Sequence, residues 1–205
     1  MRLFPLSILI ILSLLFFAKY AGAENPIPAP SSARFPNIKA SLNDGFFMLA
    51  EQQARGILRS DPNERAEREA ALLLAHALWG QKRYSEMLDL LTLYNGESGY
   101  IYWRARANFE LKRYEMALTV MNGAEDLEGS PYAPSILRLK GYVEQLMGRS
   151  DAAEATFRQF AKEFPLHRER IENQFDLAAI LIHQKRVSHI QLLGFHLGHN
   201  LPYLF

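Results

Sequence analysis

The chain has 205 residues, of which 49% are hydrophobic and 22% charged, with a formal net charge of +1. That length suits one domain or a short repeat array plus a targeting segment, and the near-neutral balance gives no electrostatic case for nucleic acid, whose binders carry a basic stripe or a high pI. Cysteine is absent, which excludes disulfides, thiolate metal sites, cysteine nucleophiles and a lipid anchor on a cysteine behind a leader.

In chain order, residues 1–23 read as a secretory signal peptide. Arg2 supplies a positive start, Leu3 to Ala18 is almost wholly apolar, and Ala21-Gly22-Ala23 places small residues before Glu24. The apolar run is short of the ~20 residues that a spanning helix needs. The expectation is export to the periplasm or beyond, with cleavage after Ala23. Lys19, close to that point, keeps an uncleaved N-terminal anchor open as an alternative. Residues 24–40 read as a linker, because four prolines fall between Glu24 and Asn37, and proline holds a chain extended without donating a backbone hydrogen bond.

From residue 41 to 193 apolar residues recur at three- and four-residue steps, the spacing of short amphipathic helices. The segment also repeats itself. Gly45 is followed by Phe47, Ala50, Ala54 and Pro62, at +2, +5, +9 and +17. Gly148 is followed by Ala153, Phe157 and Pro165 at the same +5, +9 and +17. Between and after them stand "QKRYSEMLDLL" from Gln81, "LKRYEMALTVM" from Leu111 and "QKRVSHIQLL" from Gln184. The turn positions 45, 82, 112, 148 and 185 are spaced by 37, 30, 36 and 37 residues, a period that signals stacked helical hairpins. In such a unit a small residue lets two helices approach and an aromatic fills the gap to the next hairpin. Proline then ends the second helix without needing an amide donor.

These residues resemble the tetratricopeptide repeat over roughly residues 41–192. The family's small turn residue, aromatic, alanine, aromatic or small residue and proline are matched by Gly148, Ala153, Phe157 and Pro165, and by Gly45, Phe47, Ala50, Ala54 and Pro62. Tyr84 and Tyr114 match the aromatic, and Ala117 the alanine. Gly141 lies seven residues before Gly148, where the family has its helix-A glycine; Ala75 and Ala105 take that place before Lys82 and Lys112. Three features depart from the pattern. Lysine replaces glycine at three turns, the first hairpin lacks a convincing helix A, and the fourth unit puts Glu144 where the family has tyrosine.

The resemblance implies an all-α fold, a right-handed superhelical array of antiparallel helix hairpins after the signal peptide, with a concave groove lined by helix-A side chains. In that groove it places Tyr102, Arg106 and Phe109 of "YIYWRARANF" (Tyr100 to Phe109), with His76 and Trp79 before them and Arg138 and Tyr142 after them from the neighbouring units. Aromatics beside arginine are common interface anchors. The competing reading makes Trp79, Trp103 and Phe109 inter-repeat packing.

No nucleophile–base set, phosphate loop or dinucleotide fingerprint is present, so no catalytic residue and no cofactor is expected. His183, His189, His196 and His199 do not have the tight pairing of a metal site, and no metal is expected there. Glu64, Glu67 and the Glu125-Asp126 pair read as helix-end charges. Each Lys-Arg pair reads either as part of a basic ridge or, preferably, as cations at the negative end of a helix dipole. Residues 194–205 abandon the pattern in an irregular tail, which either folds back over the last hairpin or marks a shortened relative of a longer array. The functional expectation is a non-catalytic, exported scaffold that binds a protein or peptide in its groove, with no nucleic acid and no small-molecule cofactor. Two alternatives stand beside it: the helical portion of a truncated exported cell-envelope enzyme, and a membrane-tethered assembly factor with an uncleaved anchor.

Overall fold

The computed structural model describes residues 34–60, 63–94, 96–124, 127 and 129–184. Outside them lie the signal peptide, most of the proline-rich linker, Pro62, the third Lys-Arg pair, His189, His196, His199 and the tail 194–205. The described residues are all-helical: α1 (Pro36–Asn43), α2 (Phe47–Ser60), α3 (Glu64–Gly80), α4 (Tyr84–Leu91), α5 (Ser98–Glu110), α6 (Tyr114–Asn122), α7 (Ala133–Leu146), α8 (Ser150–Glu163) and α9 (Arg170–His183). None of these is long and apolar enough to cross a membrane. Helix α1 begins five residues inside the segment expected to be linker. Pro36 sits in its first turn, where a missing amide costs nothing, and this is the short helix A of the first hairpin.

Four hairpins, α1/α2, α3/α4, α5/α6 and α7/α8, are closed by one backbone device. Gly45, Lys82, Lys112 and Gly148 all have positive φ, at 77°, 59°, 58° and 73°. At each, the turn residue's N–H returns to a carbonyl three residues back and the next N–H to one five residues back. Lys112 N to Phe109 O is 2.9 Å and Arg113 N to Asn108 O is 2.8 Å; Gly148 N to Gln145 O is 3.0 Å and Arg149 N to Glu144 O is 2.9 Å. This is the Schellman ending, which satisfies helix carbonyls and reverses the chain in one step.

Lys82 and Lys112, the lysines of the two described Lys-Arg pairs, are therefore the left-handed residues of their turns. The arginine of the first pair adds ion pairs to its place at a helix end. Arg83 reaches across to Glu51 of the preceding hairpin and to Glu86 of its own second helix. Arg149 does the same to Glu115, at 2.7 Å. These pairs tie one hairpin to the next along an edge, and at Arg83 they neutralise one arginine of the supposed basic ridge.

Packing follows the offsets. Five residues after each turn stand Ala50, Met87, Ala117 and Ala153, all fully buried, and nine residues after it Ala54, Leu91, Met121 and Phe157 are buried too. Gly141 leaves room for Phe157: a Cβ there would lie 2.5 Å from the ring. The same device joins neighbouring hairpins at Gly80, where a Cβ would lie 2.3 Å from Phe47. Glu144, the out-of-pattern residue, is buried and accepts a 2.6 Å hydrogen bond from the Thr156 hydroxyl, so a polar pair replaces an apolar contact between α7 and α8.

Each helix packs on the next, as in an α-solenoid, and the first helices of successive hairpins also touch: α1 on α3, α3 on α5, α5 on α7. One contiguous core runs from Ile38 to Val143, and a second, around Phe157, joins Tyr142 to Leu177, Ile180 and Leu181 of α9. Apolar contacts run both within and between hairpins, so each hairpin depends on its neighbours for part of its burial.

Candidate functional site

Counting back from each turn residue, positions −10, −6 and −3 share one helical face, since they are four and three residues apart. On α3 these are Leu72, His76 and Trp79; on α5, Tyr102, Arg106 and Phe109; on α7, Arg138, Tyr142 and Gln145; on α9, Phe175, Ala179 and Ile182. Because α3, α5 and α7 pack side by side, all seven sequence-predicted groove residues fall on this one ladder. Their exposure differs sharply. Tyr102, Arg138 and Tyr142 are buried, whereas His76, Trp79, Arg106 and Phe109 are half-buried. Trp103, one residue off the ladder, is core.

Arg106 is the centre of the upper part. Its guanidinium carbon lies 5.2 Å from the Trp79 ring centre and 5.4 Å from that of Phe109. Its Nη2 pairs with Glu110 at 2.9 Å, and Glu110 also accepts from the Trp79 indole N–H at 3.3 Å. A planar, always-charged guanidinium suits this setting between two rings better than an ammonium does. His76 packs among Trp103, Trp79 and Phe47, with ring centres at 5.2, 6.2 and 6.4 Å. Burial pushes its imidazole down to about 4, so it is neutral near pH 7.

The lower part is a charge cluster that closes on α9. Arg138 donates from Nη1 to Glu169 at 2.8 Å and from Nη2 to the Tyr142 hydroxyl at 2.7 Å and to Asp176 at 3.2 Å. The Tyr142 hydroxyl in turn donates to Asp176 at 2.6 Å. Burial works against the Arg138 charge, but Tyr142, Asp176 and Glu169 outweigh it and hold its pKa above the ordinary arginine value. Burial likewise raises the Tyr102 phenol. Between α5, α7 and the start of α9 these groups leave a cleft lined by Tyr102, Arg106, Ser135, Arg138, Leu139, Tyr142 and Glu169.

Four of the seven predicted residues thus line one cleft, while His76, Trp79 and Phe109 belong to the aromatic stretch beside it. Glu110, Ser135, Glu169 and Asp176 complete the arrangement and were not singled out from the sequence. The usable signal was the period: Glu169 and Asp176 lie 31 and 38 residues after Arg138, about one repeat on. Compared with protein-family models, with curated proteins and with solved structures, the chain matches none.

Proposed function

We propose that this chain is a non-catalytic scaffold whose helix-A ladder binds an extended peptide segment of a protein partner. The single observation that carries the reading is the ladder itself. It sets half-buried aromatics, a stacked arginine and a polar cleft in line along packed helices, ending at Phe175 and Ile182, which are 45% and 41% exposed. Aromatic and arginine anchors flanked by apolar surface are what peptide recognition by helical repeats uses. The tetratricopeptide-like superhelix expected from the sequence would make this face concave. The leader-like residues 1–23 put the scaffold in the periplasm or cell envelope, and N-terminal sequencing of the mature protein tests that placement, since a chain starting at Glu24 fits it.

Selection from a displayed peptide library on the purified protein tests the groove. Peptides that bind the parent chain are expected to lose binding at least tenfold on Arg106→Gln or Phe175→Ser, with helical circular dichroism unchanged. Equal binding to parent and both variants refutes the groove as the site.

A further inference from the structure

Position −10 of the ladder is covered on α3, α5 and α7 but not on α9. Leu72, Tyr102 and Arg138 are 8%, 3% and 4% exposed, whereas Phe175, their equivalent, is 45% exposed. Ile171 and Ile182, one turn before it and two turns after it on α9, are 54% and 41% exposed. Residues four and seven apart share a helical face, so the three form one uncovered apolar stripe.

What covers position −10 elsewhere follows a rule of spacing. The δ carbons of Leu72 lie against Gly99, where a Cβ would come within 3.0 Å of them. The Tyr102 ring packs on that of Tyr132, with centres 5.7 Å apart. Arg138 pairs with Glu169 at 2.8 Å. Gly99, Tyr132 and Glu169 stand 17, 20 and 21 residues after the turn residues Lys82, Lys112 and Gly148. Each lies at the start of the next first helix. The −3 residue is met sooner, by +2 of its own hairpin, as Phe109 is by Tyr114 at 6.0 Å.

Applied to α9, the rule points to residues of this same chain that lie outside the described ones. Gln184 ends α9 at φ −77° and ψ 1°, as Gln81, Leu111 and Met147 end their helices just before a left-handed turn residue. Its side-chain amide donates to Asp151 of α8 at 3.1 Å, as that of Gln81 donates to Glu51 of α2 at 2.7 Å. The helix end is therefore set for a fifth turn at Lys185. Counting from Lys185, +2 is Val187, an apolar match for Ile182, and +17 to +20 is Pro202-Tyr203-Leu204-Phe205, a match for Phe175.

We propose that the apolar stripe of α9 is the docking surface for residues 185–205, with Val187 against Ile182 and residues 202–205 over Phe175. Burial of both apolar surfaces drives the docking. A segment tied to α9 through one turn also has a high effective concentration there, which favours it over a separate molecule. Covering does not take Phe175 off the ladder: Tyr102 still lines the cleft although Tyr132 packs on it. The docking goes beyond the peptide-binding reading and does not depend on it.

The chain has no cysteine, so Asn200→Cys gives a single site for a nitroxide label beside the proposed contacts. With isoleucine methyl groups labelled in ¹³C, the nitroxide is expected to broaden Ile171 and Ile182 and to leave Ile38 of α1 sharp. Adding Phe175→Ser on the helix, or Tyr203→Ser with Phe205→Ser in the segment, should relieve at least half of that broadening, with helical circular dichroism unchanged. No broadening of the stripe, equal broadening of Ile38, or broadening that survives both sets of substitutions overturns the docking. So does broadening in a mixture of nitroxide-bearing ¹²C chain and cysteine-free ¹³C chain, which assigns the stripe to a second copy. Failure to select any peptide would sink the scaffold and leave this result standing. Peptides that bind a chain whose stripe shows no broadening would do the reverse.

Discussion

Lys112 is held at φ 58° in an exposed turn where the equivalent residues of two other hairpins are glycines at 77° and 73°. An L-residue in this left-handed region costs about 1–2 kcal/mol. Glycine relieves that cost but loses about 0.5–1 kcal/mol through its greater freedom in the unfolded chain. Lys112→Gly should therefore stabilise the protein by ~0.5–1 kcal/mol as the difference between those two effects. Lys82→Gly should do the same at φ 59°, and the double variant shows whether the two gains add. The reverse change, Gly148→Lys, meets no steric obstacle, since a Cβ there has nothing within 4 Å, so its loss is backbone cost alone. Urea unfolding followed by circular dichroism at constant pH measures all four. A double glycine variant no more stable than the parent, together with a neutral Gly148→Lys, would refute the shared left-handed turn as a source of strain.

Two further outcomes follow from buried groups. His76 has a folded pKa of about 4, below its usual solution value, so its neutral form stabilises the fold above pH 6.5 and that contribution disappears as pH falls through 4. Relative to His76→Leu, the parent should lose about 3 kcal/mol more between pH 7 and pH 4, the product of the shift and 1.36 kcal/mol per pH unit. Parallel pH profiles for the two proteins would contradict it. Gly141→Ala should lose ~1–3 kcal/mol by overpacking against the Phe157 ring, in spite of alanine's better helix propensity. Adding Phe157→Leu should recover part of that loss in a double-mutant cycle, and an unchanged loss would mean that the ring is not its cause.

The sequence showed the hairpins because turn glycines, small residues at +5 and the recurring Lys-Arg word are local marks. It did not show that Lys82 and Lys112 adopt a left-handed conformation, which their side chains disfavour and which surrounding helix endings impose. Helix α1 was hidden because a proline-rich approach reads as linker until Pro36 is seen to occupy a first turn. That the seven predicted residues share one ladder was legible from the repeat resemblance together with their four- and three-residue spacing. The burial of Tyr102, Arg138 and Tyr142 was not, because it depends on partners elsewhere in the chain, Tyr132 against Tyr102, Glu169 and Asp176 against Arg138, and Phe157 against Tyr142. The partner of Arg83 was hidden for the same reason: its carboxylate Glu51 lies 32 residues away.

The Arg138 cluster has a consequence for how such a chain can be lengthened. The first four hairpins share one turn geometry, whatever residue makes the turn. The joint between α7 and α9 is different, because its arginine is sealed in beside Tyr142 of its own helix and needs the Glu169 and Asp176 carboxylates of the next unit to meet it. A neighbour without them would leave a charge stranded away from water, which is far costlier than a poor apolar fit. That joint works as a key in the order of the units: it fixes which helix stands next to α7, and hence where along the chain the ladder of side chains continues.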